Sequence, residues 1–402
     1  MSRQIYLYIT SYFPRPEAPS SCTFVYNQAM AIKRARPDFD IVIINTNYDG
    51  DYIYRGMRVY GVRQFTAGRW LSPCWLNKIN ERRFLSALGR AGIELSEVFV
   101  AHGHLIGAAT YLNFLKRMDA SIKTLLQLHD ADPLGMLLGG EGLFGFKKRR
   151  YFAYHRKVIA RVDILVAISE NVARVVREAP HQQVFNQYEP MRRAMRILRR
   201  FNPIERLPSV YVLHNGVDRR LFQRGARIEQ RNGDVFVIGC VGVFRDLKGQ
   251  DVLIDAVSSL QKSIPNLKVR FVRGGPTLEK CKEMAREKNV NAEFISEMQQ
   301  SQLKDFYASL DLFVLPSYFE GLGCVFLEAW SCGVPFITCE GQGIDDYILP
   351  EDRRMWLCKQ RNPEDLAQKI LYYYKNRPQQ RLAAETDIDV LIPKFLDAVE
   401  SI

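Results

Sequence analysis

Two carboxylates, Glu320 and Glu328, stand with seven residues between them in Pro316-Ser-Tyr-Phe-Glu-Gly-Leu-Gly-Cys-Val-Phe-Leu-Glu-Ala-Trp-Ser-Cys-Gly-Val-Pro335. Before them, Leu312-Phe-Val-Leu315 is short, apolar and stopped by Pro316, the pattern of a buried strand that delivers a loop to the carboxyl edge of a parallel sheet. Gly321 and Gly323 leave the backbone of that loop unobstructed, and a helix beginning near Gly323 would aim its first N–H groups into the crevice. Such a site favours an anion, and a diphosphate suits it. Glu328 falls on the otherwise apolar helix, where a carboxylate is costly to bury without a partner. A ribose diol is one suitable partner; the plainer alternative is an acid near a helix N-terminus, held by the dipole.

A second group of chemistry-bearing residues lies in Val241-Gly-Val-Phe-Arg-Asp-Leu-Lys-Gly249, where Arg245 and Lys248 occupy a strand-to-helix loop. Two cations there can neutralise a departing diphosphate, or simply form a solvated basic loop. His129 ends a predicted strand, Thr124 to Leu128, and opens His-Asp-Ala-Asp-Pro133; His102, in Ala101-His-Gly-His104, is the weaker histidine. A lone histidine is more often structural than functional, so position and motif must argue for it. Asp130-Ala-Asp132 has a spacing that recurs at Asp38/Asp40, Asp49/Asp51 and Asp387/Asp389, so it does not single out a metal site. Neither cysteines nor histidines add one, and metal independence is expected. Gly274-Gly-Pro-Thr277 could contact a nucleotide, and turn chemistry explains it equally well. Asp345 and Asp346 receive no role.

The elements that must hold these residues alternate. Ile5 to Ile9, Ile41 to Ile44, Val98 to Val100, Thr124 to Leu128 and Ile164 to Ile168 read as strands, with helices at Phe24 to Arg36 and Ala108 to Lys116. After Asn215-Gly216 and a polar stretch, strands at Val235 to Val241, Val269 to Val272, Phe294 and Leu312 to Leu315 alternate with helices at Asp251 to Gln261, Leu278 to Lys288 and Gln302 to Ser309. A helix from Pro363 to Asn376 and a last one near Asp389 to Glu400 complete the chain. The pattern is α/β and doubly wound. Three parts are expected: residues 1–215, residues 216–378, and a terminal segment 379–402.

At 402 residues the chain exceeds a comfortable single core, which favours two α/β domains over one barrel. No apolar run approaches the roughly 20 residues that span a bilayer. Met1 to Thr10 is too short in apolar residues for a secretory signal, so cytoplasmic residence is expected. The eight cysteines include no Cys-x-x-Cys pair and read as buried thiols. A net charge of +12 fits nucleic acid, an anionic membrane face or nucleotide diphosphates alike. Without a recognition helix or an aromatic-basic sheet, a non-catalytic nucleic-acid-binding protein is the remote alternative.

Taken together, the Glu320 to Glu328 segment, the Val241 to Gly249 loop, Val212-Leu-His-Asn-Gly-Val-Asp218, Val162-Asp-Ile-Leu-Val-Ala-Ile-Ser-Glu170, Ser11-Tyr-Phe-Pro-Arg-Pro16 and Val100-Ala-His-Gly103 resemble the retaining nucleotide-sugar glycosyltransferases of family four. The resemblance implies the GT-B fold, two Rossmann-like domains facing a central cleft, with the last helix crossing back to the first domain. It implies transfer of a hexosyl unit from a nucleotide diphosphate sugar to a glycan or lipid-linked acceptor, with no cofactor, in cell-surface polysaccharide synthesis. On the matching positions it implies a catalytic group of His129, Arg245, Lys248 and Glu320. The donor contacts it implies are Gly242, Arg245, Lys248, Glu320, Gly321, Leu322, Gly323, Cys324 and Glu328, with Glu328 on the ribose and Glu320 on the sugar hydroxyls. Two departures stand out: Cys22 occupies a first-loop position that is often glycine, and Val243 replaces an arginine that Arg245 supplies two positions on. A phosphorylase or a nucleotide-sugar epimerase of the same fold is the alternative.

One segment lies outside the resemblance. From Met191 to Phe201 a helical wheel places Met191, Ala194, Met195, Ile197, Leu198 and Phe201 on one side and Arg192, Arg193, Arg196, Arg199 and Arg200 on the other. Such a basic amphipathic helix can lie on an anionic membrane surface, peripheral on its inner face, or pack as an ordinary surface helix. Lys147-Lys-Arg-Arg-Tyr-Phe152 is a second basic-aromatic patch.

Overall fold

The computed structural model describes residues 3–19, 21–65, 73–129, 158–178, 208–223 and 235–402. These form two compact units, the first drawn from the amino-terminal part of the chain together with Asp389–Ile402, the second chiefly Gly216–Ile388. The basic segments Met191 to Phe201 and Lys147 to Phe152, and the pair Asp130/Asp132, lie outside the described residues.

In the first unit the order is β1 (Gln4–Thr10), α1 (Thr23–Ala35), β2 (Phe39–Asn45), β3 (Tyr52–Tyr54), β4 (Met57–Gly61), α2 (Pro73–Arg90), β5 (Val98–His104), α3 (Ala109–Met118), β6 (Lys123–Leu128), β7 (Ile164–Ala167), α4 (Glu170–Glu178) and β8 (Ser209–Val212). Eight strands make one sheet in the order β3-β4-β2-β1-β5-β6-β7-β8, antiparallel at the β3–β4 hairpin and parallel elsewhere. Ile5, Tyr6, Leu7, Tyr8 and Ile9 of β1 are all fully buried, which a central parallel strand covered on both faces requires. From β1 the chain winds outward to β2 and then returns to β5 on the other side, so the winding reverses between β1 and β5.

The second unit runs β9 (Phe236–Val241), α5 (Gln250–Leu260), β10 (Leu267–Val272), α6 (Leu278–Glu287), β11 (Ala292–Ile295), α7 (Gln300–Ala308), β12 (Leu312–Leu315), α8 (Cys324–Ser331), β13 (Phe336–Cys339), a short α9 (Arg353–Trp356), β14 (Leu357–Cys358) and α10 (Pro363–Asn376). Its sheet is parallel throughout, in the order β11-β10-β9-β12-β13-β14. The reversal falls between β9 and β12, and the loops leaving the carboxyl ends of those two strands are residues 242–249 and 316–323. Both units are doubly wound Rossmann-like α/β folds.

The last helix, α11 (Ile388–Glu400), buries Ile388, Ile392, Phe395, Leu396 and Val399, one stripe at helical spacing. Phe395 packs within the first unit against His102 and Tyr211, at ring-centroid distances of 6.0 and 5.4 Å. Ion pairs Arg34–Asp389 and Arg36–Glu400 hold its two ends. The sequence reading began the terminal segment at 379, yet residues 379–388 stay in the second unit. The reason is a short parallel bridge between Val217 and Asp387, with Val217 N–H donating to Thr386 O at 2.7 Å.

Candidate functional site

Loops 242–249 and 316–323 are bound to each other as well as to their strands. Tyr318 N–H donates to Leu247 O at 2.7 Å, and a Cβ on Gly249 would sit 2.2 Å from Pro316 O. Gly249 also has φ +68°, so both its conformation and its neighbour demand glycine. Gln250, 2% exposed, turns its amide back to donate to the carbonyl oxygens of Gly242 and Val243 at 3.3 Å each, fixing the shape of the first loop. Sequence reasoning passed over Gln250; a polar residue following a strand-loop glycine was the available signal.

Lys248 and Glu320, 72 residues apart in sequence, form an ion pair across the two loops, and Ser317 Oγ donates to the same Glu320 oxygen at 2.8 Å. Their side chains keep 21% and 12% of their exposure, so solvent screens this pair less than a surface pair. The Glu320 backbone is held from a third loop, its N–H donating to Gln342 Oε1 at 2.5 Å and its C=O accepting from Gly343 N–H at 3.1 Å. Gly242 lies at the end of β9, and Arg245 is extended (φ −144°) and exposed on the same loop as Lys248.

Gly321 and Leu322 are buried and Cys324 half-buried. Gly323 opens α8 in the left-handed region, φ +80°, where a Cβ would lie 2.7 Å from the Phe326 ring. No side chain caps α8, which leaves its N-terminus suited to an anion. Glu328 falls in the second turn of α8 rather than the first, so the reading of it as a dipole-held terminal acid does not apply. The Tyr307 hydroxyl donates to Glu328 Oε2 at 2.8 Å. Burial pushes the carboxyl of Glu328 above its ordinary value, while Tyr307 and the charge of Arg273 pull it back. Arg273, at φ +98°, leads into the Gly274 to Thr277 turn, which packs on the first loop through Phe244 N–H to Gly274 O at 2.9 Å. Its left-handed backbone could not be read from sequence.

His129 belongs to the first unit, at the carboxyl end of β6. It stacks on His104 with ring centroids 4.8 Å apart, and His104 Nδ1 and His129 Nε2 share a hydrogen bond of 2.6 Å. His102 completes a column of three rings, 4.6 Å from His104, and Tyr6 Oη is 2.9 Å from its Nδ1. Burial lowers His102 and His129 to about 3 and holds His104 well below its ordinary value, so all three are neutral at neutral pH. Cys22, at the start of α1, keeps the left-handed backbone (φ 56°) that a glycine adopts easily.

Asp345, near the Glu320 loop, is pushed up by burial to about 6 and accepts from Gly341 N–H at 2.8 Å. Cys22, Cys240, Cys281, Cys324, Cys332, Cys339 and Cys358 form no disulfide. Among the described residues no group of three or more His, Cys, Asp or Glu is placed to hold a metal ion, and no helix is long and apolar enough to cross a membrane.

Residues 223–387 match the family described as glycosyl transferases group 1. The matched residues lie in the second unit. It is 33% identical over 135 residues to the GDP-mannose-dependent alpha-(1-6)-phosphatidylinositol monomannoside mannosyltransferase of Mycolicibacterium smegmatis, covering 31% of this chain and 35% of that one. It is 32% identical over 152 residues to the D-inositol 3-phosphate glycosyltransferase of Kribbella flavida, covering 34% and 36%. The chain thus spans about a third of the length of these curated relatives. Over nearly all its length it resembles the solved sucrose-phosphate synthase of Thermosynechococcus elongatus, with TM-score 0.66, 16% identity and coverage of 99% and 95%. It also resembles HepE of Anabaena, solved with UDP and glucose, with TM-score 0.67, 14% identity and coverage of 99% and 100%. At these identities the likeness concerns the fold, which is GT-B.

Proposed function

We propose that this chain is a group 1 glycosyl transferase that moves a hexosyl unit from a nucleotide diphosphate sugar to a hydroxyl of a glycan or lipid-linked glycan, with retention at the anomeric carbon, in cell-surface polysaccharide synthesis. The observation that carries the reading is the Lys248–Glu320 pair, bridging the two loops at the reversal point of the second sheet, where α/β folds of this winding take their ligands. Lys248 supplies positive charge for the diphosphate, with Arg245 on the same loop and the uncapped N-terminus of α8 in support. Glu320 takes the hydroxyls of the donor sugar together with the backbone of Gly321 to Cys324. Glu328, oriented by Tyr307, accepts the ribose diol.

The chemical step is a front-face displacement: the bond from the anomeric carbon to the diphosphate oxygen breaks and the acceptor oxygen bonds to that carbon from the same side. The diphosphate leaves with the electron pair and takes the acceptor's proton. No enzymic nucleophile is needed, and the demand on the protein is to stabilise charge growing on the leaving group. His129, neutral by burial, contacts the donor sugar as a hydrogen-bonding group rather than as a cation.

The name of the mycobacterial relative, a mannosyltransferase acting on a phosphatidylinositol monomannoside, supports a lipid-linked acceptor. The basic segment Met191 to Phe201 would bring the enzyme to a membrane that carries one. Catalysis is metal-independent in this reading. The decisive test is a thermal-shift screen of UDP-, GDP- and ADP-sugars followed by product analysis with and without a glycan acceptor. One class should stabilise the protein and support transfer; stabilisation by none, or turnover that ignores the acceptor, refutes the reading.

A further inference from the structure

Glu320 is held at more points than a donor-binding carboxylate needs for its own sake, and one of the holders belongs to none of the motifs in loops 242–249 and 316–323. Gln342, in the loop after β13, is 1% exposed. Its Oε1 accepts the Glu320 N–H at 2.5 Å, while its Nε2 donates to Glu340 O at 3.4 Å, so the second contact turns the amide oxygen toward Glu320. Next to it, Gly343 N–H donates to Glu320 O at 3.1 Å. Both backbone polar groups of Glu320 are therefore satisfied by two consecutive residues of one neighbouring loop.

That loop is itself anchored. Glu340 N–H donates to Cys358 O at 2.9 Å on β14, and Gln360 Nε2 donates to Glu340 O at 3.1 Å. Gly341 N–H donates to the Asp345 carboxylate at 2.8 Å, and Asp345 N–H donates to Gln342 O at 3.1 Å. The outer strands β13 and β14 thus form a platform from which Gln342 reaches back to the reversal point. Without an acceptor at this position the Glu320 N–H would be buried and unpaired, and the loop would shift to find water. The Glu320 carboxylate would move with it. Lys248, on a separate loop fixed by Gln250 and Gly249, would stay in place.

We propose that Gln342 is a positioning residue that sets the carboxylate of Glu320 against the sugar of the donor, and so governs affinity for the nucleotide sugar over the bare nucleotide. This rests on the donor-site reading above. Because Lys248 and Glu328 serve the nucleotide and Glu320 serves the sugar, the loss of Gln342 has an uneven effect that a general weakening of the fold would not produce.

The test is calorimetric titration of the full chain with UDP, GDP and ADP and with UDP-glucose, GDP-mannose and ADP-glucose, using wild type, Gln342→Met, Gln342→Glu and Lys248→Ala. Gln342→Met keeps length but not the acceptor; Gln342→Glu keeps an acceptor at the same reach. Gln342→Met should bind the nucleotide within about twofold of wild type and the nucleotide sugar about tenfold more weakly, the loss expected from one misplaced contact. Gln342→Glu should restore most of the difference. If Gln342→Met does not fold, Gln342→Asn, one methylene too short, replaces it. Equal weakening of nucleotide and nucleotide sugar, or of neither, overturns the role of Gln342 alone. Unchanged nucleotide affinity in Lys248→Ala, or a wild type that binds none of the six compounds, removes the donor-site reading and this inference with it.

Discussion

Replacing Lys248 by alanine removes the cation nearest the proposed leaving group, and transfer should fall about 10²- to 10³-fold, the usual effect of deleting one transition-state stabiliser. Steady-state kinetics decide it, and near-normal turnover of a folded Lys248→Ala protein would refute the assignment. Tyr307→Phe deletes the donor to Glu328, whose carboxyl is already raised by burial; with its hydrogen bond gone it rises further. Since the ionised form is the one that accepts from a ribose diol, nucleotide affinity in Tyr307→Phe should begin to fail at a higher pH than in wild type as pH is lowered. Superimposable pH profiles would count against Glu328 as the ribose ligand.

The buried histidines make a residue-scale prediction about stability. His102 and His129 sit at about 3 and His104 well below its ordinary 6.5, so the unfolded chain binds more protons than the native one as pH falls below 6.5. Their neutral forms therefore stabilise fully above 6.5, and that contribution declines as pH falls toward 3. Between pH 7.5 and 5.5 the three together should cost on the order of a few kcal/mol of unfolding free energy. Urea titrations at the two pH values measure this; equal stability at both would show that the native histidines titrate as they do in the unfolded chain.

Among the elements, the loops at the β9/β12 reversal matter most. Gly249→Ala would place a Cβ 2.2 Å from Pro316 O, which must move the two loops apart. A drop of several degrees in the unfolding midpoint, with loss of nucleotide binding, is expected; a variant equal to wild type in both would mean that the loops are not held as described. Some elements could be drawn from the sequence to the residue. For α10, the bounds Pro363 to Asn376 follow from a proline at the first helical position and from Asn362, whose side chain accepts the Asp365 N–H at 2.8 Å. By contrast, β13 and β14 have four and two residues, too few for any periodicity, and their place in the sheet comes from pairing with β12 and with each other. The basic segment Met191 to Phe201 is an element-scale proposal, checked by sedimentation with anionic vesicles at low salt; failure to sediment would remove the membrane from the account.

For the whole molecule, the net charge of +12 fits a protein that gathers anionic donors and acceptors. Transfer should persist in excess EDTA if catalysis needs no metal. Abolition by EDTA and recovery with magnesium would overturn that proposal.

How far the sequence reached has a physical reason at each point. Local chemistry is written locally. Period-two and period-3.6 apolar patterns gave alternating strands and helices, and therefore the two doubly wound units. Glycines beside carboxylates and cations marked the loops at Pro316 to Glu328 and Val241 to Gly249. The rest required the fold, because sheet order is a property of pairing. Only the return of β12 to the side of β9 brings Lys248 to Glu320 and Tyr307 to Glu328. Likewise, only parallel pairing of β5 with β6 stacks His129 on His104, and only the position of β13 brings Gln342 to the back of Glu320. A chain can announce which residues carry chemistry; which of them share a charge, a proton or a hydrogen bond is settled when distant segments pack.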